Sequence, residues 1–326
     1  MTKIYQIYDV PIKKGKEIGI EIEMEGKNLK TNISKYWRAA ADGSLRGNSI
    51  EYVLKDPAKR GDTRKKLLLL KQELEDYDCI PELSDRCGVH IHINCQELTT
   101  TQVINFSIVY LILENLLLNF CGDERIGNHF CLSSSDAEAV ISALRECKEQ
   151  GKLHSLQSNR YRYASINFSA ISKFGSLEFR AFQTPKNLIK IQQWIDILLA
   201  IKDYSLEFEQ SYDILEHISF NGAQNFLTAV LKENAHLVAH PDMDNLILSG
   251  VRRVQEVAYA VEKKKKKKDI YEELRIADHD MGAPQPMVAG QRPRLMGPNP
   301  GPAQWVILDE GGVVPEVDEE EPDVDF

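Results

Sequence analysis

Gly19-Ile20-Glu21-Ile22-Glu23-Met24-Glu25 is the stretch that decides how this 326-residue chain is read. In an extended strand successive side chains alternate faces, so Ile20, Ile22 and Met24 fall on one side and Glu21, Glu23 and Glu25 on the other. Carboxylates two apart on a strand face are separated by about 6.6 Å of backbone rise. At an effective dielectric of about 20 each such pair repels by roughly 2.5 kcal/mol. If the polar face meets water, the charge is dissipated and the strand is an exposed edge. If it lines a cleft, the carboxylates need a proton or a cation, and Mg²⁺ with several oxygen ligands is the common answer.

Other stretches repeat the pattern. Ser49-Ile50-Glu51-Tyr52-Val53-Leu54, closed by Asp56-Pro57, sets Glu51 on the face opposite Ile50 and Tyr52. Cys87-Gly88-Val89-His90-Ile91-His92-Ile93-Asn94 sends the three aliphatic residues one way and His90, His92 and Asn94 the other. One histidine beside apolar residues is ordinarily a satisfied core residue, but two with an asparagine on one face suit a metal or a phosphate. Asn159 to Phe168 opens as a basic aromatic cluster and becomes a strand in which Tyr163, Ser165 and Asn167 share a face. Gly175 to Phe182 puts Glu178 and Arg180 on one side and Leu177, Phe179 and Ala181 on the other, a pair that by itself is only an in-strand salt bridge.

Between these strands the apolar spacing is helical. Asp62 or Thr63 caps a helix with Leu67, Leu70, Leu74 and Tyr77 on one stripe. Val103 to Phe120 nears the length of a membrane span, yet Asn105, Ser107, Glu114, Asn115 and Asn119 interrupt it, which predicts a buried helix against a sheet. Further helices are expected from Ser135 to Gln150, ending at Gly151, and after Thr184-Pro185, with Leu188, Ile191, Trp194, Ile195, Leu198 and Ile201 as the apolar stripe. Residues 3–8 alternate weakly and read as a short strand or a lead-in to the acidic one, and residues 27–46 as polar turns in which Asp42-Gly43 is the strongest signal.

Composition bounds the rest. At 43% hydrophobic the chain can bury a large core. No signal peptide opens it, so a cytoplasmic protein is expected. Six cysteines without a C-x2-C pair read as free thiols. The net charge of −9 carries no basic footprint for nucleic acid. Lys263 to Lys268 is the one basic block, a solvated helix end or linker. Gly- and Pro-rich residues 282–302 and an acidic run from Asp309 to Phe326 read as a disordered tail, able to recruit a protein partner or aid solubility.

Four strands thus each pair an apolar face with ionisable groups. An antiparallel sheet with helices on the apolar side gathers those groups on the other face, an α+β fold. Carboxylates, histidine and arginine on one floor suit phosphoryl or acyl-phosphate chemistry, and without a G-x-x-x-x-G-K-[ST] motif a nucleotide there is not held by a P-loop.

The ordered series G-I-E-I-E, D-G-S-L with I-E-Y-V, C-G-V-H-I-H-I-N, R-Y-R-Y-A-S-I-N and S-L-E-F-R-A-F-Q-T resembles the amidoligase family of bacteria and phages, relatives of glutamine synthetase and glutamate–cysteine ligase. It covers roughly residues 15–205. The resemblance implies a glutamine-synthetase-like antiparallel sheet and ATP- and Mg²⁺-dependent joining of a carboxylate to an amine through an acyl-phosphate, on small-molecule or peptide substrates. It implies Glu21, Glu23, Glu51, His90 and Glu178 as metal ligands, with His90 and Arg180 at the nucleotide phosphate and Arg180 and His92 stabilising the transferring group. Arg162, Asn167 and Asp42 fall at substrate positions, Asp42 as the group that orients or deprotonates the amine. On this reading residues 1–205 are the catalytic domain, 206–262 a helical extension and 263–326 the lysine run and tail, with no membrane partner. A metal-dependent hydrolase, or an inactive binding protein on the same fold, are the alternatives; the other histidines, His129, His154, His217, His236, His240 and His279, form no second cluster in the sequence.

Overall fold

The computed structural model describes residues 2–33, 35–135, 138–158 and 161–261. Among these, the strands β1 (Ile18–Lys27), β2 (Trp37–Ala40), β3 (Ser49–Leu54), β4 (Ile80–Pro81), β5 (Gly88–Asn94), β6 (Ile166–Asn167) and β7 (Ser176–Gln183) make one antiparallel sheet. Its order is β2-β3-β1-β5-β7-β6, with β4 pairing the end of β1. Eight α-helices accompany it: α1 (Ile4–Tyr8), α2 (Thr63–Asp76), α3 (Thr100–Cys121), α4 (Glu138–Gln150), α5 (Ala170–Phe174), α6 (Lys190–Ser205), α7 (Ser211–Leu231) and α8 (Met243–Ala258). This is the α+β architecture that the strand patterning predicts. The lysine run and the acidic tail lie outside the described residues.

The apolar faces do what alternation requires. Ile20, Ile22, Met24, Val89, Ile91, Ile93 and Phe179 are all buried on the side where the helices pack. Phe179 meets Phe106 and Tyr110 of α3, with ring centroids 5.3 and 4.8 Å apart, and Phe182 stacks on Trp194 of α6 at 5.8 Å. At the other end of the sheet Trp37 is buried and donates its indole N–H to the Lys66 carbonyl of α2. Thr99 caps α3 as its position suggests: its hydroxyl accepts from the Gln102 N–H while the Gln102 side chain accepts from the Thr99 N–H.

Helix α3 is long and apolar enough to cross a membrane, but 83% of its most apolar window is buried within the protein. The sheet covers one side and α8 another. Gly250 of α8 sits directly on α3: a Cβ there would lie 2.1 Å from the Ile112 carbonyl oxygen. Glu114, interrupting the apolar run, is fully buried. It accepts hydrogen bonds from the Ser134 backbone N–H, the Ser134 and Ser165 hydroxyls, and Arg253 of α8 at 3.0 Å.

Several local expectations change. Residues 4–8 form a helix rather than a strand, because the Gln6 side chain takes the Lys3 N–H and Asp9 closes the turn in the left-handed region, leaving only Ile4 buried. A strand, β2, runs through the polar segment, carried by Trp37 and paired with β3. Asp62 makes no side-chain cap; the Thr63 hydroxyl donates to Arg60 and Gln192 instead. Strand β6 is two residues long, and Ser165 turns to Glu114 rather than sharing the face of Asn167. Strand β7 bulges opposite His90, so that Val89 pairs with Phe182 and Ile91 with Phe179. The extra residue brings both Phe179 and Phe182 to the helix side, where strict alternation would place Ala181 instead of Phe182.

Candidate functional site

The register assembles the polar face row by row. Glu21 lies between Val53 on β3 and His90 on β5, Glu23 lies opposite Glu51, and His92 lies between Gly19 on β1 and Glu178 on β7, with Asn167 on β6 completing that row. All ten residues that the sequence points to (Glu21, Glu23, Asp42, Glu51, His90, His92, Arg162, Asn167, Glu178 and Arg180) line one cavity of about 330 Å³. Two members of the polar strand faces do not join them. Glu25 accepts the Arg46 N–H at the β2–β3 connection, and Asn94 bonds the Lys16 carbonyl and the Gln96 N–H, both structural tasks.

His90 is the centre. Its Nδ1 is 3.3 Å from Glu21 Oε2 and 3.8 Å from Glu178 Oε1, and its Nε2 is 3.6 Å from Glu23 Oε1. Arg180 bonds Glu178 and reaches to 3.4 Å from His90 Nδ1, while Asn167 donates to the second oxygen of Glu178 at 2.7 Å. Glu23 is oriented from the backbone, since the Gly88 N–H donates to its Oε2 at 2.8 Å and Thr184 ties the Glu23 and Gly88 carbonyls together. A side chain at position 88 would crowd this contact: a Cβ would come within 3.1 Å of Glu23 Oε2. Asp42 closes a turn by accepting the Ser44 N–H, the plain role its Asp-Gly context suggests, while also lining the cavity.

Charge is distributed unequally among the carboxylates. Burial opposes ionisation of Glu21, but the neighbouring imidazoles of His90 and His92 outweigh it and hold the carboxyl well below its usual range. Glu178 is likewise pulled down against burial, by Arg180 first and then the two histidines. Glu51 goes the other way. Burial, reinforced by Glu21, Asp42 and Glu23, pushes it up to about 7. Burial disfavours the cationic form of His92, yet Glu21 and Glu178 raise it overall. The floor therefore holds ionised carboxylates beside one that keeps its proton near neutrality, an imbalance a cation would remove.

The donor set fits such a cation. Glu21, His90 and Glu178, and separately Glu23, Glu51 and His90, each offer ligand atoms within 4.8 Å of one another. Hard carboxylate oxygens suit Mg²⁺ or Mn²⁺, and since a neutral imidazole has one free lone pair, His90 serves one of the two groups at a time. His92 Nε2 lies 3.5 Å from Glu21 Oε1, and the buried Arg180 Nε has no hydrogen-bond partner among the described residues.

Other residues of the cavity were not legible in the pattern. Arg86, just before β5, packs its guanidinium 5.2 Å over Phe130 and bonds the Ser44 carbonyl. Lys173 and Phe174 come from α5, while the expected Arg162 lies 4.5 Å over Tyr163. Arg125 lies just behind the cavity. Its guanidinium is buried and donates to the carbonyls of Arg180, Ala181 and Asp85, so it satisfies the two carbonyls of the β7 bulge and fixes the backbone from which Arg180 projects. Only the bulge makes sense of Arg125, and a bulge has no signature in alternation.

No curated protein matches the chain. Residues 69–202 match the family model described as putative amidoligase enzyme, a span that includes His90, His92, Glu178 and Arg180 while leaving Glu21, Glu23, Asp42 and Glu51 to the geometry. That span agrees with the motif series read from β5 to β7 and supports the likeness of this chain to the amidoligase family.

Proposed function

We propose that this protein is an ATP- and Mg²⁺-dependent carboxylate–amine ligase. The observation that carries the reading is the floor itself: two carboxylate–histidine groups that share His90, either able to fit a metal ion, with Arg180 bound to one of their carboxylates. Glu21, Glu23, Glu51, His90 and Glu178 would hold the metal, which supplies charge neutralisation for a nucleotide's phosphates.

The chain's own groups divide the remaining work. Arg162 and Asn167, at the end of the cavity reached from β6, bind and orient the substrate carboxylate. Its oxygen attacks the γ-phosphorus, the bond to the β-phosphate oxygen breaks, and ADP leaves with that electron pair. Arg180 and His92 donate to the phosphoryl oxygens as charge develops there. The amine then attacks the acyl carbon, inorganic phosphate departs, and Asp42 takes the amine proton. A small amine and a small or peptide carboxylate fit a cavity of this size.

The test is Mg²⁺-dependent phosphate release from ATP with pooled amines and carboxylic acids, comparing wild type with Glu23→Gln and Glu178→Gln. Stimulation by one pool, lost in both variants, is the expected result. A hydrolase would turn over without nucleotide, and an inactive binding protein would release no phosphate with any pool.

A further inference from the structure

A second cavity, of about 440 Å³, lies against the first and shares Glu21, His92, Lys173 and Phe174 with it. Nothing in the chemistry above occupies it. Its floor is bare where β1 runs beneath: Gly19, opposite His92 in the ladder, leaves the space that a side chain would fill, and a Cβ there would come within 3.1 Å of His92 Cβ. At the wall between the two cavities stands Phe174, the last residue of α5. It is 60% exposed, and its ring stands perpendicular to His92 with centroids 6.0 Å apart, so much of the ring is open to the cavities it lines. Val53 and Pro57 continue the apolar lining. A backbone floor with an exposed aromatic ring at its edge is the arrangement that accepts a flat ring, since stacking needs only a π-face and shape.

Cations outnumber carboxylates around it, with Lys13, Lys16, Arg38, Lys55 and Lys173 against Glu17 and Glu21, and Glu17 is held by Arg60 at 3.4 Å. Lys16, Arg38, Lys55 and Lys173 line the cavity, and none of the four forms a salt bridge among the described residues. Four unpaired cations exceed what one carboxylate group needs, and the opposite end of the first cavity already presents Arg86 and Arg162 for such a group. They suit an anion of several charges joined to a planar body.

From these observations we infer that the second cavity is the compartment for the nucleotide's base and ribose, with the base against Phe174 over the Gly19 floor and the phosphates passing Glu21 and His92 to the carboxylate site. This rests on the nucleotide-dependent reading above, and its test separates the two. Binding of ADP and of inorganic tripolyphosphate, each with Mn²⁺, is measured calorimetrically for wild type and Phe174→Ala. Stacking on one aromatic residue predicts a loss of about tenfold or more for ADP and no more than about twofold for tripolyphosphate, which has no ring. Phe174→Trp, which keeps a π-face, should retain ADP affinity and show tryptophan quenching on adding ADP but not tripolyphosphate.

Unchanged ADP affinity in Phe174→Ala, or quenching by tripolyphosphate alone, overturns the assignment while leaving a metal–phosphate site intact; the second cavity would then receive the organic acid. A wild-type protein that binds neither probe overturns both readings.

Discussion

Glu51 should make metal binding pH-dependent, and its position says by how much. It lies directly opposite Glu23 in the ladder, and burial together with Glu21 pushes it up to about 7. A metal ligand must be ionised, so an ion binding at Glu23, Glu51 and His90 has to displace the Glu51 proton. The cost is RT ln(1 + 10^(pKa − pH)), about 1.4 kcal/mol at about pH 6 and under about 0.1 kcal/mol at about pH 8. The sign follows from the raised value: the metal-free protein holds the proton below about pH 7, and binding tightens as pH rises through that point before levelling off. Mn²⁺ affinity should therefore increase about tenfold between about pH 6 and about pH 8, with close to one proton released per ion at the lower end. His92, also raised, can release a proton of its own, so the assay compares wild type with Glu51→Gln. Calorimetric titration in buffers of different ionisation enthalpy counts the protons. Equal proton release from both proteins, or a wild-type affinity flat across that range, would refute the assignment of Glu51 as the protonated ligand.

Three further outcomes follow from single contacts. Arg180→Ala frees Glu178 from its cation, so Mn²⁺ affinity measured by calorimetry should hold or rise while ligase turnover falls by about 10² to 10³; near-normal turnover would remove Arg180 from the chemistry. Arg125→Met strips the donor from the buried Ala181 carbonyl and from the partly buried Arg180 carbonyl, while Asn128 still serves Asp85, and chemical denaturation should show a loss of about 2–3 kcal/mol. Arg253→Ala leaves Glu114 buried without its cation and should cost about 3–5 kcal/mol in the same measurement, whereas a change within about 0.5 kcal/mol would mean that the two serines alone satisfy it.

Strand alternation carried most of the floor, for a physical reason. A residue whose apolar neighbours must face helices has its direction fixed, so Glu21, Glu23, Glu51, His90, His92 and Glu178 could be placed on one side before any pairing was known. Residues off the strands were less legible. Arg86, Lys173 and Phe174 reach the cavity from a loop and a five-residue helix, where no period constrains direction. Arg125 depends on the β7 bulge, and the bulge depends on the pairing of Val89 with Phe182 across the sheet. The N-terminus, read as a short strand or a lead-in, has a similar origin: residues 3–8 alternate weakly, but the Lys3 N–H donates to the Gln6 side chain and tips the segment into a helical turn.

Helix α3 shows where variation in such chains has to stop. It lies inside the span that matches the family model, and the helix seated on it through Gly250 lies beyond the end of that span. An apolar surface on every side of α3 is thus tolerable only because later sequence comes back to cover it. A relative that keeps so apolar a helix is free to change what covers it, in length, order or composition, but not to go without a cover. In this chain the matched segment therefore depends for its folding on sequence that the match does not include.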